Sequence, residues 1–354
     1  MTHSGEHSDL GERFRRLIAT HGPMPVARFM GESNAHYYAA RDPLGSAGDF
    51  TTAPEISQMF GELIGLWLAD IWTRAGSPPD AIYVELGPGR GTLAADALRS
   101  MARFGLQPEV HFVEGSPALR SLQAEAVPGV HFHDDPTSLP NGRPLLLVAN
   151  EFFDALPVRQ LVRTEKGWRE RMVGLGEEDD FRFVAGDQPM DSAVPADRAD
   201  AEVGVIVETC PAATAILQDI AQRLAVQGGT ALMIDYGHLT PRTGSTLQAI
   251  TRHEKVDPLV MPGAADLTAH VDFAALAEVA RREGARVLGS ATQGAFLSAL
   301  GIDARAAALA KAAPQRAEEI ETALHRLVSG QQMGDLFKVL AIAHPQWPAG
   351  AGLG

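Results

Sequence analysis

Residues 83–93 read YVELGPGRGTL. An apolar run carries Glu85 near its end, and Gly87, Gly89 and Gly91 follow on alternate positions. A short apolar run of this kind reads as a buried strand, and a glycine turn lets backbone approach a ligand where side chains would clash. Three ligand classes use such a turn: nicotinamide or flavin dinucleotides, nucleoside triphosphates, and S-adenosylmethionine. The dinucleotide fingerprint is G-x-G-x-x-G, and here the last gap is one residue short. The phosphate loop needs G-x-x-x-x-G-K-[ST], and no lysine follows. An acid two residues before the first of three alternating glycines is the S-adenosylmethionine pattern. That ligand brings no phosphates to helix amides, so bare backbone must lie against its methionine part and sulfonium. Glu85 accepts from its ammonium end, directly or through water, and Thr92 opens the following helix.

Working outward, a second acid belongs at the end of the next strand, where it takes the ribose hydroxyls. Glu114 in HFVEGSP fills that place. Dinucleotide folds use the same device, so Glu114 alone does not discriminate. The third strand ends in Asp134-Asp135, at the level of the adenine; one of them accepts from its exocyclic amine, or the pair caps a solvated turn. The fourth ends in Asn150-Glu151, beside the reactive methyl. His131 and His133 alternate on the third strand, and packing rather than metal is expected of them.

The texture around these motifs is regular. From residue 81, short apolar runs alternate with helices, as in a parallel sheet with helices on both faces. Right-handed crossovers then collect the strands' C-terminal ends on one rim. The expected fold is α/β, a class I methyltransferase-like (Rossmann-like) seven-stranded sheet. Residues 1–78 are expected to form a helical segment and lid, with a third helix running unbroken from about Pro54 to Gly76. Residues 79–345 form the core, with an antiparallel insertion at about 158–200 and a helical insertion at about 303–330. Residues 346–354 read as a loose tail.

Composition narrows the classes further. With 354 residues and 45% apolar content the chain can bury a large core. Its net charge of −14 makes it a poor general binder of nucleic acid, which needs a basic surface. The single cysteine, Cys210, rules out an internal disulfide framework and a thiolate-rich zinc site. No stretch reaches the ~18 apolar residues of a membrane span. The first residues, MTHSGEHSDLGERFRRL, carry acids and no apolar segment, so neither a secretory signal nor a mitochondrial presequence is read there. A bacterial cytoplasmic protein is expected, or a mitochondrial matrix protein if the chain is a processed form.

Several further stretches carry a resemblance: GDFTTAPEISQMFGELIG, ANEFFDALPVRQ, GWRER, LMIDYG, STLQAITRHEKVDPLVMPGAADLTAHVDF, TQGAFLSALGI and MGDLFKVL. Together with VELGPGRGTLAADALR, over residues 10–345, they make the chain resemble the MidA family of S-adenosylmethionine-dependent methyltransferases. The resemblance implies a class I core, an N-terminal helical segment over the cofactor, and inserted elements. The family's mitochondrial members are assembly factors of respiratory complex I, so it also implies a protein partner, and arginine dimethylation of a complex I core subunit as the reaction.

An arginine acceptor arrives as a delocalised cation with a pKa above about 12, so carboxylates are needed to bind the fork and take its proton. Glu151 is the first candidate and Asp154 the second, though Asp154 equally suits a cap before Pro157. Asp49, Thr51, Thr52 and Glu55 lie on a Gly/Pro-rich loop that closes over the site or starts a helix. Tyr236 and one of Phe152 and Phe153 line the acceptor channel or fill core. The competing functions are methylation of a small molecule or another side chain, and a cofactor-binding assembly chaperone with little turnover.

Overall fold

The structure, a computed structural model, describes residues 4–40, 52–251 and 254–353. The chain divides into two compact units. The larger is drawn from Leu44–Phe153, Thr214–Thr240 and Val271–Gly354, the smaller from Met1–Pro43, Asp154–Ala213 and Pro241–His270.

Among the described residues, the larger unit is built on a sheet of strands β1 (Ile82–Leu86), β2 (Glu109–Val113), β3 (His131–His133), β4 (Leu145–Asn150), β5 (Gly229–His238), β6 (Arg286–Thr292) and β7 (Phe337–Ala343). Their order is β6-β7-β5-β4-β1-β2-β3, and the two-residue strand Val271–Asp272 adds to the end of β5. Strands β1 to β5 pair in parallel, and β7 runs antiparallel to both β5 and β6. Every residue of β1 and β4 is buried, which is why both are unbroken apolar runs rather than alternating ones. The register sets Leu86 level with Val113 and with Ala149, and Asn150 level with Ile234, so the strands end together on one rim.

One face of the sheet is covered by the helices Gln58–Arg74 and Thr92–Ala102. Met59, Phe60, Leu63, Ile64, Trp67, Leu68 and Ile71 give the first its buried stripe. Gly65 lets the two axes close up: a Cβ there would lie 2.3 Å from the carbonyl oxygen of Ala97. The unbroken helix expected from Pro54 is in fact two. Ser57 is extended (φ −163°, ψ 139°) and its hydroxyl accepts from Met59 N at 3.2 Å, so it ends Ala53–Ile56 and caps Gln58–Arg74. The C-terminal stretch is also not loose. Trp347 is buried, Trp67 Nε1 donates to Ala351 O at 3.0 Å, and Arg74 donates to Ala349 O at 2.7 Å. An indole that would otherwise bury an unpaired N–H holds this stretch against the helix.

The smaller unit contains the antiparallel strands Arg159–Thr164, Gly167–Leu175, Phe181–Pro189 and Ile206–Thr209, with Met24–Pro25 joined to the second of them. Phe14, Phe29 and Phe181 pack as an aromatic trio, with ring centroids 5.1 Å and 5.7 Å from Phe29 to its neighbours. These contacts draw the helices Ser4–His21 and Val26–Ala40 into the smaller unit, whereas Ala53–Ile56 and Gln58–Arg74 belong to the larger. The expected N-terminal segment of 1–78 therefore divides between two cores. The helical insertion, Ile302–Ala312 and Ala317–Val328, stays with the larger unit, where Arg305 makes a two-bonded ion pair to buried Glu62 at 2.7 and 2.9 Å. No described helix is long and apolar enough to cross a membrane.

Candidate cofactor and methyl-transfer site

The rim of the larger unit gathers most of the residues singled out from the sequence. After β1 the chain turns through Gly87, Gly89 and Gly91 with φ of 60°, 56° and 81°. Gly87 N donates to Val113 O at 3.0 Å and Gly91 N to Pro88 O at 2.8 Å. A Cβ on Gly87 would stand 2.9 Å from the Phe152 ring, and one on Gly91 3.3 Å from the Ala126 methyl. The helix beginning at Thr92 has no side-chain cap, so its first amides face the rim.

Glu85 is buried beneath this turn and accepts from Tyr83 Oη at 2.6 Å. Burial drives its pKa up to about 8, partly countered by the tyrosine's hydrogen bond. Burial beside this carboxyl also holds Tyr83 well above its ordinary value. Glu114 follows β2. Its two oxygens accept from Ser116 N (2.7 Å) and Gln123 Nε2 (3.1 Å), and the same Gln123 Nε2 donates to Gly89 O at 2.7 Å. Gln123 thus ties the glycine turn to the acid of the next strand. It is fully buried, and its Oε1 has no hydrogen-bond partner.

The two aspartates after β3 separate. Asp135 caps the turn Pro136–Ser138, accepting from Thr137 N at 2.8 Å, and its hydrogen bonds to Thr137 lower its pKa. Asp134 is exposed and pairs with Arg120 at 2.6 Å. His131 and His133 lie against His111, whose Nδ1 is 2.9 Å from His133 Nε2. Among the described residues, no group of three or more His, Cys, Asp or Glu side chains is arranged to hold a metal.

At the other end of the rim, β4 finishes in Asn150 and the chain leaves it through Glu151, whose φ is 52°. A side-chain-bearing residue in that left-handed region costs on the order of 1–3 kcal/mol and persists only where its surroundings enforce it. Here they do. Glu151 N donates to Ile234 O at 2.9 Å, and Glu151 Oε1 accepts from Asn150 Nδ2 and from Ala53 N, both at 3.2 Å. Asn150 is buried, with Oδ1 unpartnered. Phe152 N and Phe153 N both donate to one oxygen of Asp235, at 3.1 and 2.8 Å.

The short helix Ala53–Ile56 bridges the two ends of the rim. Its Ala53 meets Glu151, and its Glu55 Oε1 accepts from Thr92 Oγ1 at 2.5 Å. Thr52 precedes that helix without a side-chain cap. Asp49 and Thr51 lie outside the described residues. Asp154 is buried in the smaller unit: its backbone oxygen accepts from Ala269 N at 3.0 Å, and burial, followed by the charges of Asp266 and Asp154, holds Tyr38 well above its ordinary pKa. Tyr236 packs on Phe337 with centroids 4.1 Å apart and the rings tilted by 39°, and Phe153 is buried.

Sequence reasoning missed Gln123 and Asp235. A glutamine on an amphipathic helix reads as exposed. Asp235 carried a usable signal, because it ends the apolar run ALMID as Glu85 ends the run before it.

The rim fits a cationic ligand with hydroxyls. The orphaned oxygens of Gln123 and Asn150 ask for donors. The glycine turn leaves a cradle that a single Cβ would fill. The comparisons agree. Residues 63–291 match the pattern of an S-adenosyl-L-methionine-dependent methyltransferase family. The protein arginine methyltransferase NDUFAF7, mitochondrial, of Xenopus laevis is 36% identical over 92% of this chain and 82% of its own length. The Homo sapiens protein of that name is 36% identical over 92% of this chain and 81% of its own. A Burkholderia thailandensis crystal structure with bound S-adenosyl-homocysteine superposes with a TM-score of 0.84 at 30% identity, over 98% of this chain and 93% of that one. The chain belongs to the MidA-like family of S-adenosyl-L-methionine-dependent methyltransferases.

Proposed function

We propose that this methyltransferase acts on an arginine side chain of a protein, and that Glu151 takes the proton the reaction releases. The observation that carries the reading is the strained Glu151, held at φ 52° with its carboxylate fixed between Ala53 N and Asn150 Nδ2. Relatives named protein arginine methyltransferase support the choice of acceptor. When bound, the cofactor supplies an electrophilic methyl on a sulfonium that departs as a neutral thioether.

The chain's own residues bind, align and take the proton. Glu85 and the turn Gly87-Gly89-Gly91, with Thr92, receive the amino-acid end. Glu114, fixed by Gln123, receives the ribose hydroxyls. Asp134 is the better adenine partner of its pair, because Asp135 is committed to its cap. Asn150 and Thr52 border the methyl. A guanidinium nitrogen gains the methyl and loses one proton to the Glu151 carboxylate, which is needed because the free cation holds that proton above about pH 12. Asp154 is left to the polar cluster of the smaller unit. A complex I core subunit as the acceptor, and a cytoplasmic site of action, belong to the same proposal.

The test is incubation with methyl-labelled S-adenosylmethionine and candidate acceptor proteins, followed by hydrolysis and identification of the labelled amino acid. Label in methylarginine is the expected result. Label in a small molecule would replace the acceptor class, and cofactor binding with no transfer at all would favour an assembly chaperone.

A further inference from the structure

We propose that Asp235 is the positioning residue of the reaction, holding Glu151 in its left-handed conformation from the neighbouring strand. The inference rests on the reading of Glu151 given above.

Asp235 is fully buried on β5, following the apolar run Ala231–Ile234. A buried carboxylate is tolerated where its oxygens are hydrogen-bonded. One oxygen of Asp235 accepts from the successive amides of Phe152 and Phe153, and the other from Tyr236 N at 2.9 Å. The register explains why those amides need it. Sheet pairing between β4 and β5 ends at Asn150 with Ile234, and Glu151 N still reaches Ile234 O. One residue later the chain has turned away, and two amides arrive at the rim with no strand to pair with. Asp235 receives both. It thereby fixes the residues after Glu151, while β4 fixes the residue before it. The side chain of Glu151 leaves a backbone clamped on both sides.

The carboxylate is specific to this task. An asparagine has the same shape but only one acceptor oxygen, so its amide would face a backbone N–H on one side. Asp235→Asn should therefore fall between the native protein and Asp235→Ala.

The experiment compares the three proteins by hydrogen exchange over residues 150–154, by S-adenosylhomocysteine affinity, and by single-turnover methyl transfer. In Asp235→Ala the Phe152 and Phe153 amides should exchange faster. Cofactor affinity and the KM for S-adenosylmethionine should stay native, and transfer should slow about 100-fold, the scale of a 1 Å misplacement. Asp235→Asn should be intermediate in exchange and rate, and guards against a variant that fails to fold. Faster exchange with an unchanged transfer rate would leave Asp235 merely structural and overturn the inference. If the native protein transfers no methyl, the reading of the reaction fails separately. Exchange then tests the clamp alone: unchanged protection at Phe152 and Phe153 overturns it, and lost protection supports the clamp on the Glu151 backbone while its role in the reaction falls with that reading.

Discussion

The chain leaves β1 and β4 with nearly the same positive φ, 60° at Gly87 and 52° at Glu151. The residues chosen are opposite. At Gly87 any side chain would strike the Phe152 ring, so the left-handed turn and the close approach are both met by glycine. At Glu151 a glutamate is kept where glycine would be easier, and Asn150, Ala53, Ile234 and Asp235 are spent on holding it and its neighbours. In the proposed reading one exit lets the ligand in and the other presents the carboxylate that takes the proton, at the strained position.

The sharpest way to break this contrast is Glu151→Gln. Methyl transfer should slow by roughly 10²–10⁴-fold, the usual worth of a positioned general base, while S-adenosylhomocysteine binds as in the native protein. Single-turnover rates beside a calorimetric titration check both halves.

The next effect concerns pH. Glu85 must be ionised to receive an ammonium group, yet burial raises its pKa to about 8. Its folded value lies above its unfolded one, so its contribution to the stability of the free protein is fullest at low pH and declines as pH rises through about 8. Cofactor affinity should move the other way, tightening by up to about tenfold per pH unit below that value. Titrations from roughly pH 6 to pH 8 should show this slope, and Glu85→Gln should flatten it.

Two smaller effects mirror each other. Gly87→Ala should destabilise by at least ~1–2 kcal/mol from the left-handed backbone alone, with the Phe152 clash added and cofactor affinity lowered. Glu151→Gly should melt above Glu151→Ala by a comparable ~1–2 kcal/mol, both being inactive. Chemical denaturation of the four proteins reads the pair directly. Equal stability of the two Glu151 variants would mean the strain is absent in solution.

The same contrast explains what was legible in the sequence. The glycine turn, Glu85 and Glu114 stood out because each sits at or just past the C-terminal end of a strand, and the requirement falls on residue type. Gln123 did not, because its role depends on which face of a helix meets Gly89 and Glu114. The left-handed Glu151 did not either, because it follows from where β4 and β5 stop pairing, a matter of register between strands some eighty residues apart. The break at Ser57 and the packed C-terminal stretch were misread for a related reason. A serine inside an apolar periodicity and a Pro/Gly-rich ending look alike whether or not a tryptophan waits for them.

The division of labour along the rim is tested most directly by titrating S-adenosylhomocysteine calorimetrically into Glu114→Ala and Glu151→Gln side by side. The account predicts that Glu114→Ala loses most of its affinity and that Glu151→Gln binds as the native protein does. Native affinity in Glu114→Ala, or a matching loss in Glu151→Gln, would contradict it.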